Sequence, residues 1–213
     1  MRKDSPLYTI LFAFIISALF ALLLGAVNAA TRDTILLKQK IVEEKAILEA
    51  AGISTVGMSD VEVDTLFREK VKTVEYSQKT IYLVKTDKGQ AFAFKYSGPG
   101  LWGTIYAIIA VDESLTRLAG ISFTKQSETP GLGGRIDESW FKMQFRGETI
   151  HDTYPFIKVQ KSSRTSGDPD HTNASVDAIT GATQTSNAVE KLINEGLKEY
   201  IPILKALKAG EMV

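Results

Sequence analysis

From Pro6 to Ala30 the chain carries no charged side chain, and Leu7 to Ala26 is almost wholly apolar. Spanning the hydrocarbon core of a bilayer takes about 20 such residues in a helix. Helix is required of a lone segment because lipid offers its backbone no hydrogen-bond partners. This run ties one end of the molecule to a membrane. Arg2 and Lys3 precede it, and by the positive-inside rule they favour a cytoplasmic N-terminus and a body outside the cytoplasm. Arg32, Lys38 and Lys40 on the far side make that bias modest. The competing reading is a cleaved signal peptide, since Val27-Asn28-Ala29 before Ala30 resembles a small-residue cleavage site. The run exceeds the usual apolar region of about 7–15 residues in such peptides, so a retained anchor is expected. Both readings deliver the rest of the chain to the same side.

The chain beyond the anchor is long enough, within 213 residues, to bury one core. Basic and acidic side chains balance at 25 each, which argues against a nucleic-acid partner. There is no cysteine, which excludes a thiolate-ligated iron–sulfur cluster, a disulfide or a thiol nucleophile. The two histidines, His151 and His171, nearly exclude a multi-histidine metal site, and the sequence assigns neither a role. Redox chemistry in such a chain needs an organic cofactor or partner chains.

The patterning predicts helices, then antiparallel strands, then a helix. Apolar residues from Ile35 to Ala51 recur at near-helical spacing and stop at Gly52, so an amphipathic helix continues out of the membrane. Ser59 or Asp60 caps a second helix running through Lys70. Residues 73–76, 80–85, 91–96, 104–111 and 118–124 are rich in β-branched and aromatic side chains and are expected strands; Asp87-Lys88-Gly89 is the turn between the second and third. A short helix from Asp137 or Ser139 to Phe145, a strand at Phe156–Val159 and a polar surface loop over Lys161–Ser175 come next. A last helix begins near Thr183 and stops about Tyr200, before Pro202. The expected fold is α+β: a transmembrane helix and then a single domain with a mainly antiparallel sheet and flanking helices. The divisions are an anchor over 1–30, linking helices over 31–70 and the domain over 71–213.

Three segments carry candidate chemistry. Asp177-Ala178-Ile179-Thr180-Gly181-Ala182-Thr183 places a turn before a helix start, where free N–H groups and the helix dipole suit a phosphate. A threonine hydroxyl there can contact the phosphate or be esterified by it; ordinary capping is the plainer reading. Glu128-Thr129-Pro130-Gly131-Leu132-Gly133-Gly134 is a tight turn where backbone can approach a ligand. It lacks the Lys and Ser/Thr of a phosphate-cradling nucleotide loop, and an ordinary surface turn is the plainer reading. Ser97-Gly98-Pro99-Gly100-Leu101-Trp102-Gly103 is a turn plus either a core tryptophan or an aromatic wall for a flat cofactor.

The Asp-x-x-Thr-Gly-Ala-Thr pattern ending at Thr183, with Glu-Thr-Pro-Gly-Leu-Gly from Glu128, resembles the FMN-binding subunits of ion-translocating membrane oxidoreductases. These are the G subunit of the Rnf ferredoxin:NAD oxidoreductase and the C subunit of the sodium-pumping NADH:quinone oxidoreductase. Gly-Pro-Gly-Leu-Trp resembles the latter in particular, while the short chain and compact C-terminal end look more like the former, and the resemblance covers essentially the whole chain. It implies FMN held covalently as a phosphoester of Thr183. The flavin environment it implies draws on Asp177, Thr180, Gly181, Ala182 and Thr185, on Glu128, Thr129, Gly131, Leu132 and Gly133, and on Leu101 and Trp102. Lys158 is a candidate neighbour of the flavin or its phosphate; a solvated basic pair with Lys161 on a strand edge is the plainer reading. The implied partners are other membrane subunits, and a flavin transferase that uses FAD and a divalent metal. The expected role is electron transfer within an Rnf-type complex coupled to sodium or proton transport. The alternatives are the quinone-reductase subunit, a free-standing flavinylated shuttle outside the cytoplasm, and a flavin-free tethered scaffold.

Overall fold

The structure is a computed structural model that describes residues 6–161 and 167–210. Arg2 and Lys3, on which the orientation argument rests, and residues 162–166 of the expected polar loop lie outside the described residues. The chain forms two compact units, one ending at Ile41 and one beginning at Val42.

The anchor and the amphipathic stretch form one helix, α1 (Pro6–Ala50), of 45 residues. One 18-residue window has a mean hydropathy of 2.8 with none of it buried in protein, so α1 is long and apolar enough to cross a membrane. Its end is a Schellman motif. Gly52, at φ +92°, donates to the Glu49 carbonyl, and Ile53 donates to the Leu48 carbonyl at 2.9 Å. Helix α2 (Asp60–Lys70) starts with a reciprocal capping box between Ser59 and Glu62, which selects Ser59 over Asp60 as the cap.

In the second unit, five strands form an antiparallel meander in sequence order: β1 (Val71–Tyr76), β2 (Lys79–Thr86), β3 (Gly89–Pro99), β4 (Thr104–Asp112) and β5 (Leu118–Lys125). Both faces are covered. Alternate residues of β4 divide between them: Ile105, Ala107, Ile109 and Val111 enter one core, Ile108 and Ala110 the other. That is why β4 reads as a continuous apolar run rather than an alternating one. Ala46, Ile47 and Ala50 from the end of α1 close the second face. The first is closed by α4 (Thr183–Lys208), whose Tyr200 ring stacks on Phe94 at 4.0 Å between centroids. The architecture is α+β, as the sequence implied.

Four boundaries differ from the sequence reading. Helix α4 does not stop before Pro202 but runs through it to Lys208. Pro202 is exposed, as is Lys198, whose carbonyl loses its helical donor; the buried Leu204 and Leu207 hold the last turns against the core. The strand expected at Phe156–Val159 is β6 (Lys158–Gln160), paired in parallel with β7 (Ser175–Asp177), a strand the sequence did not suggest. The expected surface loop is partly internal: Asp168, Ala174 and Ser175 are buried. The helix expected up to Phe145 is a short 3-10 turn (Gly133–Asp137) followed by α3 (Ser139–Met143).

Candidate functional site

Strand β7 leads straight into the threonine-rich segment. Buried Gln144 pins its end: the side-chain carbonyl accepts the amides of Asp168 and Asp177, both at 2.8 Å, and the amide group donates to the Asp177 carbonyl at 3.3 Å. Asp177 itself is fully buried. The next residues form a hydrogen-bonded turn, with the Ala182 amide donating to the Ile179 carbonyl at 3.0 Å. Gly181 occupies its third position at φ +83°, where a type II turn requires positive φ. The turn delivers the chain to Ala182, the N-cap residue of α4, which has no side chain able to cap. Thr183 is therefore not the cap but the first helical residue, exposed, at a helix end that its N-cap side chain does not close.

Four hydroxyls lie between Thr180 and Ser186, and the structure sorts them. The Ser186 hydroxyl is buried and accepts the Ile179 amide at 3.1 Å. The Thr185 hydroxyl is buried and donates to Oε2 of Glu128 at 2.6 Å. Thr180 and Thr183 are exposed.

Glu128 joins all three segments. Its carboxylate is 4% exposed; Oε2 takes the Thr185 hydroxyl, and Oε1 takes the amides of Leu101 and Trp102, both at 3.0 Å. A buried carboxylate is tolerable because such charge-assisted hydrogen bonds satisfy it. Two glycines leave room for it. A Cβ on Gly100 would stand 2.5 Å from Glu128 Oε1, and one on Gly133 would crowd both Glu128 and the Thr185 hydroxyl. After Glu128, Thr129-Pro130-Gly131-Leu132 makes a second hydrogen-bonded turn, Leu132 donating to the Thr129 carbonyl at 3.1 Å with Gly131 at φ +75°. Leu132 lies over the first turn: a Cβ on Gly181 would meet its Cδ2 at 3.4 Å.

The outer surface of this junction is apolar. Leu101 and Trp102 form the tip of the β3–β4 hairpin and are 48% and 70% exposed; Leu132 is 46% exposed. Trp102 is thus not a core residue, which removes the plainer reading of its segment. Thr129, Gly131 and Gly181 share the exposed surface. Glu128, Thr185, Asp177, Ala182 and Gly133 form its buried underside. Lys158 opens β6 opposite Ser175 and is exposed. An uncapped helix start bearing a free hydroxyl, beside exposed apolar side chains, fits an aromatic cofactor with a phosphate arm. A cavity of about 520 Å³ lies elsewhere, between the end of α1 and β5 by Glu49, Lys125 and Lys142, and shares no residue with the three segments.

Sequence reasoning missed the supporting residues. Besides Gln144, Asn194 accepts the Phe156 and Ile157 amides, and Glu190 accepts the Val159 amide at 2.6 Å, binding β6 to α4. Their only signal was polarity among apolar neighbours, too weak to name a partner 24 or more residues away.

Over residues 100–198 the chain matches the FMN-binding domain family. Its relatives are narrower in kind. The C subunit of the Na+-translocating NADH-quinone reductase from Pseudomonas aeruginosa is 27% identical over 259 aligned positions, 99% of each chain. The same subunit from Vibrio alginolyticus is 36% identical over 137 residues, 62% of this chain, and the match spans about half (52%) of that relative's length. Among solved structures, the corresponding C subunit from Parabacteroides distasonis superimposes with a TM-score of 0.68 at 24% identity, over 81% of this chain and 96% of that one. NqrC from Shewanella oneidensis gives 0.66 at 20% identity, over 81% and 99%. At these identities the two structures establish the fold.

Proposed function

We propose that this chain carries FMN as a phosphoester of Thr183 and passes electrons as the NqrC-like component of a sodium-translocating NADH:quinone reductase. The observation that carries the reading is the exposed Thr183 hydroxyl on the first residue of an uncapped helix, inside the stretch that matches the FMN-binding domain family. The named relatives favour the quinone-reductase subunit over the Rnf-type complex that the short chain suggested. When bound, the isoalloxazine ring supplies the redox chemistry. This chain's residues do the rest. The free N–H groups at the start of α4 favour a phosphate, and the exposed Leu101, Trp102 and Leu132 offer an apolar surface for a flat ring. A covalent link keeps the cofactor from dissociating outside the cytoplasm. Attachment calls for a separate flavin transferase, and electron entry and exit call for neighbouring membrane subunits.

The test is co-expression of the full chain with a flavin transferase. The denatured chain should fluoresce on a gel under ultraviolet light, and its mass should exceed the sequence mass by FMN less one water. Thr183→Ala should lose both signals. An unmodified wild-type mass under these conditions rejects the reading.

A further inference from the structure

Glu128 does not belong to the exposed surface, yet every segment of that surface is tied to it. We propose that Glu128 is a positioning residue: one carboxylate fixes the turn that bears Thr183 relative to the Leu101–Trp102 tip, and so sets how a flavin on Thr183 lies against Trp102. The inference rests on the proposed attachment at Thr183, but the clamp itself is a property of the protein alone.

The geometry separates two jobs. Oε2 holds the first turn of α4 through the Thr185 hydroxyl, two residues beyond Thr183. Oε1 holds the hairpin tip through two consecutive amides. Besides the Glu128 contacts, the tip has a closing bond from Gly100 N–H to the Gly103 carbonyl at 2.7 Å. That bond shapes the tip but does not tie it to α4. Among the described residues the carboxylate is the hydrogen-bonded link between the anchoring element and the apolar one. Gly100 and Gly133 show how closely it is enclosed, since a side chain at either would collide with it. A cofactor attached by one flexible phosphate arm is free to swing. Its ring is oriented only if the surface it rests on is fixed relative to the point of attachment.

Substitutions at Glu128 should therefore change the flavin's environment and leave its attachment intact. Tryptophan in contact with a flavin quenches its fluorescence by electron transfer, so fluorescence reports the contact. Glu128→Ala should give full FMN mass on Thr183, a severalfold brighter flavin, and amide exchange at Leu101 and Trp102 faster by about tenfold, the factor for one lost hydrogen bond. Trp102→Phe should brighten the flavin similarly, and Glu128→Ala should add little on top of it, because both remove one contact. Glu128→Gln is the conservative rescue. Its oxygen can keep the two amides while its NH2 group donates to Thr185, so it should retain most of the quenching.

The experiment uses the full chain in detergent, with and without flavin. A folded, flavinylated Glu128→Ala protein with wild-type fluorescence and amide exchange overturns the proposal. If the wild-type chain proves unmodified, the attachment reading fails. The exchange rates of the unmodified chain then decide the clamp alone: faster in Glu128→Ala supports it, unchanged rejects it. If Glu128→Ala does not fold, Thr185→Val cuts one arm only. Brightening that Thr185→Ser reverses supports the proposal, and wild-type fluorescence in Thr185→Val overturns it.

Discussion

Glu148 shows how a residue outside the three segments can still set the conditions under which the fold holds. Its side chain is fully buried, and Oε2 lies 3.5 Å from Nδ1 of His171. Burial pushes its carboxyl above the ordinary value of 4.5; the amides of Ala174 and Ser175 and the charge of His171 oppose the rise, and Asp168 adds to it. Within the window from 4.5 upward to the raised value, the folded chain binds more protons than the unfolded one. Stability therefore falls as pH rises through that window. Glu148→Gln should flatten this slope and raise the thermal midpoint at neutral pH relative to wild type. A wild-type slope in the variant rejects the assignment. At this scale the sequence was legible in identity and not in role. Thr183, Glu128 and Trp102 could be singled out by pattern, but no pattern tells a surface carboxylate from a buried one. The third dimension buries Glu128 and joins it to Thr185, Leu101 and Trp102. It also places the Thr185 hydroxyl in a buried hydrogen bond to that carboxylate.

At the scale of elements, the five long strands and the helix starts were readable because period and caps are local properties. Strand β7 was not, because three residues carry no period and its pairing with β6 is supported by Gln144, Glu190 and Asn194 from elsewhere in the chain. The end of α4 was misread for the opposite reason: a strong local signal, Pro202, is overridden by tertiary burial of Leu204 and Leu207. A proline in a helix interior costs about 3 kcal/mol relative to alanine, while restricting the unfolded chain returns roughly 0.4–1 kcal/mol. Pro202→Ala should therefore stabilise the domain, by about 1–2 kcal/mol after partial local relief of the proline. Urea unfolding of the full chain should show a higher midpoint with an unchanged slope. A lower midpoint would mean that Pro202 shapes the last turns rather than being tolerated by them.

For the whole molecule, an apolar helix long enough to cross a membrane raises the question of sidedness for the domain that follows it in sequence. We expect the domain to lie outside the cytoplasm, from Arg2 and Lys3 ahead of the span. Lys88 sits exposed in the β2–β3 turn, and the chain has no cysteine of its own. A cysteine introduced at Lys88 should react with a membrane-impermeant thiol reagent before lysis, in spheroplasts where an outer membrane is present. Labelling only after lysis reverses the topology. The placement of the three segments on the outside of the domain bears on how such a protein communicates. Electron tunnelling weakens steeply with the thickness of matter between donor and acceptor. A ring sunk in the core between the sheet and α4 would be insulated on all sides. A ring resting on Leu101, Trp102 and Leu132 is screened on one side only, and a neighbour that docks against the other meets it at contact distance. With FMN on Thr183 as proposed, the protein would be less a wire than a terminal, with its conducting face turned outward.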